Sequence, residues 1–346
     1  MTEPLATLHT PVLLEALVAG VLGRTNGTYV DATFGRGGHS QALLARLEPE
    51  GRLVAFDRDP EAAAAAAAIQ DPRFQFVRRP FSQMSAVLAE LAIDSVDGVF
   101  ADLGVSSPQL DAARRGFSFM RDGPLDMRMD PSQGQPVSDW LKTASVSEIA
   151  EVLRRYGDER YAGPIARAIA GRQSAAQQGQ APYLARTRDL ADLIAQALAR
   201  AGAPRESQHP ATRSFQALRI FINRELEELD SLLDQSARVI RPGGRLAIIS
   251  FHSLEDRRVK QALTQSRRAA SFQRPPGMGR AQSAMLSQAV LGQRRAGQPL
   301  AGQPLAGQAR PTVWTAATRI RPSDQERASN PRARSAVLRI ATRAQP

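Results

Sequence analysis

The sequence predicts an α/β fold in which a mostly parallel sheet is interrupted by an all-helical insertion. Through residue 108, short apolar segments rich in β-branched residues alternate with amphipathic helices. Strand-like segments then disappear over a long stretch whose apolar residues recur only at helical spacing, and they return after residue 240. Alternation of this kind is typical of parallel strands joined by helices.

The first predicted strand, residues 28–31, leads into a glycine-rich loop and then a helix. Gly35, Gly37 and Gly38 fall within four positions, and glycine lets the backbone approach a ligand closely. Ser40 stands where a dinucleotide-binding fingerprint would have its third glycine, and no Gly-Lys-Ser/Thr follows. The loop therefore matches neither a dinucleotide fingerprint nor a P-loop, and a glycine turn without a ligand is the alternative.

Three predicted strands end in an aspartate: Asp31, Asp57 and Asp102. Ligands of open α/β sheets bind outside the carboxyl ends of the strands, so we expect these carboxylates in one crevice with the glycine loop. Asp57 follows the loop at the distance where a carboxylate holds a ribose, with helix capping as its alternative role. Phe81, after the third predicted strand, is a candidate either to lie against an adenine or to pack beneath the next helix.

These acids discriminate between classes of ligand. They would repel the pyrophosphate of a dinucleotide, whereas they would attract the α-ammonium and sulfonium groups of S-adenosylmethionine. The crevice therefore favours S-adenosylmethionine as cofactor, with a nicotinamide-dependent dehydrogenase as the competing class.

The regular alternation stops at Gln109, which suggests three parts: residues 1–108 and 213–346 as two halves of the sheet domain, and 109–212 as a helical insertion for substrate recognition. Residues 114–130 interleave aromatic, methionine and charged side chains around a Gly-Pro turn, which predicts a structured loop over the site. Its apolar side chains either stack on a base or fasten the loop to the core.

Local signals predict the elements of the insertion and of the second half. Ser145 with Glu148 forms a capping box, and another helix begins at Thr187. The intervening residues 172–180 predict an exposed loop. Past the insertion we expect one long helix from Phe215 to Leu233, a turn at 242–244 and a fifth strand at 245–251 that runs into His252.

The last part of the chain combines a low-complexity tract with two short strand-like segments. Residues 267–310 carry tandem repeats and few apolar side chains, so we predict disorder there. Residues 312–320 and 335–341 predict a closing pair of strands.

Composition limits the classes of function. The net charge of +11 suits a polyanionic partner, although only Lys142 and Lys260 among 45 basic residues are lysine, so compositional bias of a GC-rich genome is the alternative. The absence of cysteine excludes disulfides and thiolate zinc sites, and no segment is apolar enough to cross a membrane. We expect a cytoplasmic protein without a metal site, since the four histidines form no recognisable ligand set with carboxylates.

Several long motifs resemble one bacterial family. They are His9–Leu14, Thr33–Ser40, Asp57–Pro60, Asp102–Asp111, Arg115–Arg121, His209–Arg213, Ser250–Arg257 and Asn330–Ser335. The chain resembles the RsmH family, also called MraW: S-adenosylmethionine-dependent enzymes with a Rossmann-like sheet that methylate the exocyclic amine of a cytidine in the decoding region of 16S ribosomal RNA. The resemblance implies cofactor contacts at Gly37, Gly38, His39, Asp57, Phe81, Asp102 and Gln109, and a substrate within the small ribosomal subunit.

The catalytic groups are less clearly indicated. Many amino-group methyltransferases carry an Asn or Asp-Pro-Pro-aromatic motif after the fourth strand, whereas here Asp102 is followed by Leu-Gly-Val. Our hypothesis is that Asp102, Ser106 and Ser107 flank the target amine, and that His252 accepts a proton or contacts RNA. A non-catalytic factor that binds ribosomal RNA is the alternative function, and a second copy of the chain is a candidate partner.

Overall fold

The computed structural model describes residues 11–204, 207–264, 313–315 and 317–345. The helices are α1 (Leu14–Val21), α2 (Gly38–Leu44), α3 (Pro60–Ala66), α4 (Met84–Glu90), α5 (Ser107–Asp111), α6 (Val137–Thr143), α7 (Val146–Gly157), α8 (Ala162–Gln177), α9 (Thr187–Arg200), α10 (Thr212–Asn223), α11 (Glu225–Val239), α12 (Ser253–Thr264) and α13 (Asp324–Ser329). The strands are β1 (Thr28–Asp31), β2 (Arg52–Phe56), β3 (Phe74–Val77), β4 (Val96–Asp102), β5 (Ile240–Ser250), β6 (Thr318–Ile320) and β7 (Val337–Thr342). The tract predicted to be disordered, 267–310, lies wholly outside the described residues, as does His9.

The seven strands form one sheet in the order β3-β2-β1-β4-β5-β7-β6. The first five are parallel, while β7 is antiparallel to both β5 and β6. The predicted α/β class and the closing strand pair are thus confirmed. Strand order reverses between β1 and β4, so their carboxyl ends flank a crevice of the kind in which open α/β sheets bind ligands.

Apolar side chains on both faces explain why the central strands are buried. Tyr29 and Val30 of β1, Phe56 of β2 and Phe100 of β4 are fully enclosed, as expected for parallel strands covered by helices on each side. A rigid central sheet therefore carries the three strand-end aspartates.

The helix predicted from Phe215 to Leu233 is in fact two helices, α10 and α11. The chain breaks at Arg224, whose φ of 52° is left-handed. The cause is Asn223, whose side-chain amide donates to the carbonyls of Arg219 (2.9 Å) and Met127 (2.7 Å) and accepts from Met129 N–H (2.7 Å). A side-chain bond back to the carbonyl four residues earlier competes with helix propagation.

Two further predictions differ from the structure. Residues 172–177 continue α8 instead of forming a loop: Gln173 and Ala176 are buried, and Gln173 accepts from Leu184 N–H (3.2 Å). Residues 242–244 lie within β5 instead of forming a turn before it: Gly243 N–H donates to Arg343 (2.9 Å) and Gly244 accepts from it (2.8 Å).

Helices α6 to α10 share an apolar cluster of their own, separate from the clusters on the two faces of the sheet. Phe117, Met127 and Met129 of the predicted loop are buried in that cluster. These side chains therefore fasten the loop to the core and are not exposed to stack on a nucleobase. The cluster includes α10, beyond the boundary at residue 212 that the sequence suggested. Within the described ranges, no helix has the length and apolar character needed to cross a bilayer.

Candidate active site

A cleft of about 1210 Å³ opens at the carboxyl edge of the sheet, where strand order reverses. It is lined by most of the residues singled out in the sequence: Gly38, His39, Asp57, Phe81, Asp102, Ser106, Gln109 and His252. Gly37, which is not among the lining residues, precedes α2, and Ser107 begins α5 beside Ser106. The structure therefore brings together residues that span more than half of the chain.

The glycine loop requires glycine at two positions for steric reasons. Gly37 has a φ of 77°, and a Cβ there would lie 2.7 Å from the ring of Phe34. A Cβ on Gly38 would lie 2.3 Å from Pro11. Side chains at these positions would push the loop out of its observed path, because interiors tolerate little overpacking.

Asp31 holds the loop together from beneath. Its carboxylate accepts hydrogen bonds from Ser40 Oγ (2.7 Å) and from Thr33 N–H (2.9 Å). Burial raises the pKa of Asp31 to about 7, although these two hydrogen bonds act in the opposite direction. Asp31 therefore shapes the loop from below and, unlike Asp57 and Asp102, does not line the cleft as the sequence predicted.

Asp57 connects the glycine loop to the next strand. It accepts from Gly35 N–H (2.8 Å) and from Asp59 N–H (2.9 Å), and burial raises its pKa. Helix capping, the alternative role for Asp57, belongs instead to Asp59, which accepts from Glu61 N–H (2.9 Å) at the start of α3. Asp57 therefore remains at the cleft wall with its carboxylate facing the loop.

Asp102, at the end of β4, has an unsatisfied acceptor. Its Oδ1 is buried and makes no hydrogen bond with the described residues, while 28% of the side chain is exposed. Burial raises the pKa of Asp102 to about 8, and the nearby charges of Asp31 and Glu255 act in the same direction. A buried carboxyl oxygen without a partner is costly, so this atom is poised for a donor or a cation in the cleft.

His39 presents a second acceptor beside Asp102. Its Nε2 lies 3.1 Å from the Val12 carbonyl, which can only accept, so Nε2 carries the proton and Nδ1 has the lone pair. Burial lowers the pKa of His39 to about 4, so its Nδ1 contact with Asp102 Oδ2 (3.7 Å) is not an ion pair at neutral pH. The segment that supplies Val12 is itself tied down, because Leu13 N–H donates to Glu326 of α13 (2.7 Å).

Gln109 lines the cleft, but its amide is already engaged. Nε2 donates to Asp59 (2.6 Å), and Oε1 accepts from Ser106 N–H (2.8 Å). Asp59 also forms a buried ion pair with Arg115 (2.9 Å), which in turn donates to the Met129 carbonyl (2.9 Å). This network joins the loop of residues 114–130 to the wall behind Asp57.

Phe81 is half-buried, lines the cleft and packs against the apolar cluster on one face of the sheet. The predicted packing against the core is therefore observed, and the contact with an adenine stays a prediction.

The far wall of the cleft contains charged residues that the sequence analysis had not selected. Glu255, one turn after His252, accepts from Phe251 N–H (2.8 Å), and its Oε1 lies 3.1 Å from His252 Nε2. Burial acts to raise the pKa of Glu255, but His252, the Phe251 N–H and Arg219 outweigh it and the pKa is lowered. In the sequence, the His-x-x-Glu spacing after a buried strand could have indicated that Glu255 lies near His252. An ionised carboxylate therefore faces Asp102 across the cleft.

Comparison with known proteins gives consistent results. A family model described as the MraW methylase family matches residues 6–299. The Ribosomal RNA small subunit methyltransferase H of Paracidovorax citrulli (strain AAC00-1) is 49% identical over 347 residues, covering 99% of this chain and 98% of that protein. The protein of the same name from Acidovorax ebreus (strain TPSY) shows the same identity and coverage. A solved rRNA methylase from Streptococcus thermophilus is 10% identical with a TM-score of 0.36, covering 96% of this chain and 94% of that one, a likeness too weak to support a conclusion.

Proposed function

Because this chain belongs to the MraW methylase family, we propose that it transfers a methyl group from S-adenosylmethionine to the 4-amino group of a cytidine in small-subunit ribosomal RNA. The observation that carries the proposal is the unsatisfied Asp102 Oδ1 at the cleft wall, beside the glycine loop. A carboxylate there suits both a cationic cofactor and an amine substrate.

The residues of the cleft fit S-adenosylmethionine. Gly37 and Gly38 keep the loop low, Asp57 and Phe81 line the wall where a ribose and an adenine would lie, and Asp102 attracts a cation. The resemblance adds His39 and Gln109 to these contacts. Since the amide of Gln109 is engaged within the protein, we expect Gln109 to support the site through Asp59 and Ser106.

When bound, the cofactor supplies an electrophilic methyl group on a sulfonium. The protein must then orient the target amine, exclude water and hold the proton that the amine loses. Asp102 Oδ1 accepts an N–H of the amine and later holds the proton, and the turn at Ser106 and Ser107 flanks it. His252 Nε2 lies 3.1 Å from Glu255 Oε1 but makes no hydrogen bond with the described residues, so we expect His252 to stabilise the Glu255 carboxylate electrostatically from the substrate side of the cleft.

The substrate assignment draws on the relatives and on charge. Both relatives are named for ribosomal RNA of the small subunit, which for a bacterium means a cytoplasmic substrate. The net charge of +11 is consistent with a polyanion. A cytidine stacked in an RNA helix cannot reach a closed cleft, so we expect a single-stranded or flipped-out target. We expect helices α6 to α10 and the loop of residues 114–130 to bind the RNA around it. A second copy of the chain is a further candidate partner.

The deciding experiment is methyl incorporation from labelled cofactor into free 16S ribosomal RNA, small subunits and whole ribosomes, with the product nucleoside identified by mass spectrometry. We expect N4-methylcytidine at one site, and RNA binding that weakens about 1000-fold or more between 50 and 200 mM salt if six or more phosphates are contacted. RNA binding without methylation would instead support the non-catalytic factor, and methylation at another base would refute the cytosine assignment.

The pH dependence of cofactor affinity follows from the raised pKa values of two acids. Asp31 and Asp102, with pKa values of about 7 and about 8, are largely neutral below those values in the free protein. A cation favours their ionised forms, so binding releases protons, and affinity should rise as pH increases toward about 8 and then level off. Calorimetry in buffers of different ionisation enthalpy measures this release. An affinity that does not change with pH over this range would contradict the prediction, and Asp102→Asn should reduce the proton release.

A further inference from the structure

The part of the cleft opposite the glycine loop is a separate wall built by α10, the start of α11 and the β5–α12 junction. Gln216, Arg219, Glu225 and Glu228 line it, together with His252 and Glu255. None of the cofactor contacts discussed above uses Gln216, Arg219 or Glu225. This wall is therefore available to the second reactant, the nucleobase.

Arg219 is held in this wall with one edge of its guanidinium already used. Its Nε and Nη2 donate to the two carboxylate oxygens of Glu225, both at 2.9 Å. The pair is shielded, with 15% of the Arg219 side chain and 9% of the Glu225 side chain exposed. The break at Arg224 makes this pair possible, because it turns the first residue of α11 back toward α10.

The outer edge of the same guanidinium, formed by Nη1 and Nη2, has N–H groups that Glu225 does not bind. Nη1 makes no hydrogen bond to the described residues, and Nη2 retains one of its two N–H groups. These N–H groups lie side by side in the plane that Glu225 fixes. Because Arg219 lines the cleft, a rigid pair of parallel donors is available to a ligand there.

We propose that Arg219 reads the target base, donating from this outer edge to N3 and O2 of the flipped-out cytosine. This inference rests on the proposed cytosine-N4 methylation. Cytosine offers two adjacent acceptors, N3 and O2, next to the 4-amino group. Uracil carries a hydrogen on N3, which would face the guanidinium donors. The pairing therefore selects cytosine and rejects uracil at the same atom.

The surroundings agree with this orientation of the base. Glu255 interacts electrostatically with both Asp102 and Arg219, so the three side chains border one space. A cytosine whose N3 and O2 meet Arg219 would place its amine at the end of the same edge, beyond N3, where the unsatisfied Asp102 Oδ1 on the acidic side of the cleft could accept from it. Substrate selection and methyl acceptance would then share one base orientation.

A purely structural role for Arg219, clamping the α10–α11 break, makes a different prediction, and atomic substitution in the RNA separates the two. The experiment compares small-subunit RNA assembled by ligation with cytidine or 3-deazacytidine at the methylated position; the latter lacks the N3 acceptor but keeps O2 and the amine. For the wild-type protein we expect kcat/KM to fall about 10- to 100-fold with 3-deazacytidine, the cost of one hydrogen bond to a charged donor.

The Arg219→Lys variant keeps the positive charge but loses the planar pair of donors. We expect it to lower kcat/KM for cytidine by a similar factor and to make the 3-deaza substitution nearly neutral, within about 2-fold, because both changes remove the same bond. The matched control is Arg73→Lys, since Arg73 forms the same two-bond pair with Asp71 outside the cleft. The control should keep the full 3-deaza penalty.

The outcomes distinguish the inference from the function on which it rests. If Arg219→Lys still showed the full loss of kcat/KM with 3-deazacytidine, the effects of the two changes would be independent. Arg219 would then not contact N3, and the inference would be wrong. If the variant failed to fold, wild-type binding would decide: RNA with uridine at the target should bind at least about 10-fold more weakly than RNA with cytidine, and equal binding would overturn the inference. If the wild-type protein did not methylate the cytidine in small-subunit RNA, the proposed function would be wrong, and the inference about Arg219 would be wrong with it.

Discussion

Asp102→Asn is expected to lower the rate constant of methyl transfer by about 100- to 10,000-fold at saturating cofactor and RNA. The substitution keeps the shape of the side chain but replaces an acceptor that can take a proton with an amide that cannot, which is the usual scale for loss of a general base. It also removes the charge that a cationic cofactor would stabilise. Single-turnover transfer of a labelled methyl group measures the rate, and calorimetry measures cofactor affinity separately.

The control for this variant is Asp94→Asn, which changes an exposed aspartate just before the opposite end of β4. The control should retain wild-type rate and affinity. If Asp102→Asn methylated RNA at the wild-type rate with unchanged cofactor binding, the carboxylate would have no part in the chemistry, and the proton acceptor would have to be sought at the His252 and Glu255 wall.

Gly37→Ala is expected to weaken cofactor binding by about 30-fold or more. The substitution combines a left-handed φ of 77° with a methyl group 2.7 Å from the ring of Phe34. Each effect costs on the order of 1–2 kcal/mol, and the loop relieves both by moving into the cleft. Calorimetric titration with the cofactor gives the affinity, and thermal unfolding shows how much of the cost falls on the fold.

Gly179→Ala separates the two contributions. Gly179 has a similar φ of 73°, but no atom lies within 4 Å of its would-be Cβ, and it is remote from the cleft in sequence and structure. That variant should lose some thermal stability while keeping full cofactor affinity. Wild-type affinity in a folded Gly37→Ala protein would mean that the loop does not determine the cofactor site.

The strand-end acids show what kind of feature sequence patterns predict well. Asp31 and Asp102 end buried strands and Asp57 follows one, and the geometry of parallel sheets brings such ends to one edge. Asp57 and Asp102 line the cleft there, whereas Asp31 lies beneath the glycine loop. Local periodicity and a general rule of topology were therefore sufficient to predict the crevice. The capping box at Ser145 was found for a similar reason, since both of its partners lie within one turn.

The far wall was missed because its determinants are not local. Arg219 and Glu225 meet only because the helix breaks at Arg224, and that break depends on Asn223 bonding to Met127 and Met129 in a distant loop. Apolar spacing runs uninterrupted through the break, so the sequence predicts one helix. The end of α8 was misjudged for a related reason: Gln-rich composition suggests exposure, while Gln173 is buried and accepts from Leu184 N–H, 11 residues later in the chain.

The hydrogen bond from Leu13 N–H to Glu326 joins two segments that are 313 residues apart in the sequence. The residues that orient His39 and cover Gly38 precede β1, whereas α13, which fastens them, follows β6. Strand β7, which pairs with β5 beside the cleft, follows α13. A chain synthesised only as far as α12 would therefore lack the contacts that α13 and β7 supply to the cofactor cleft.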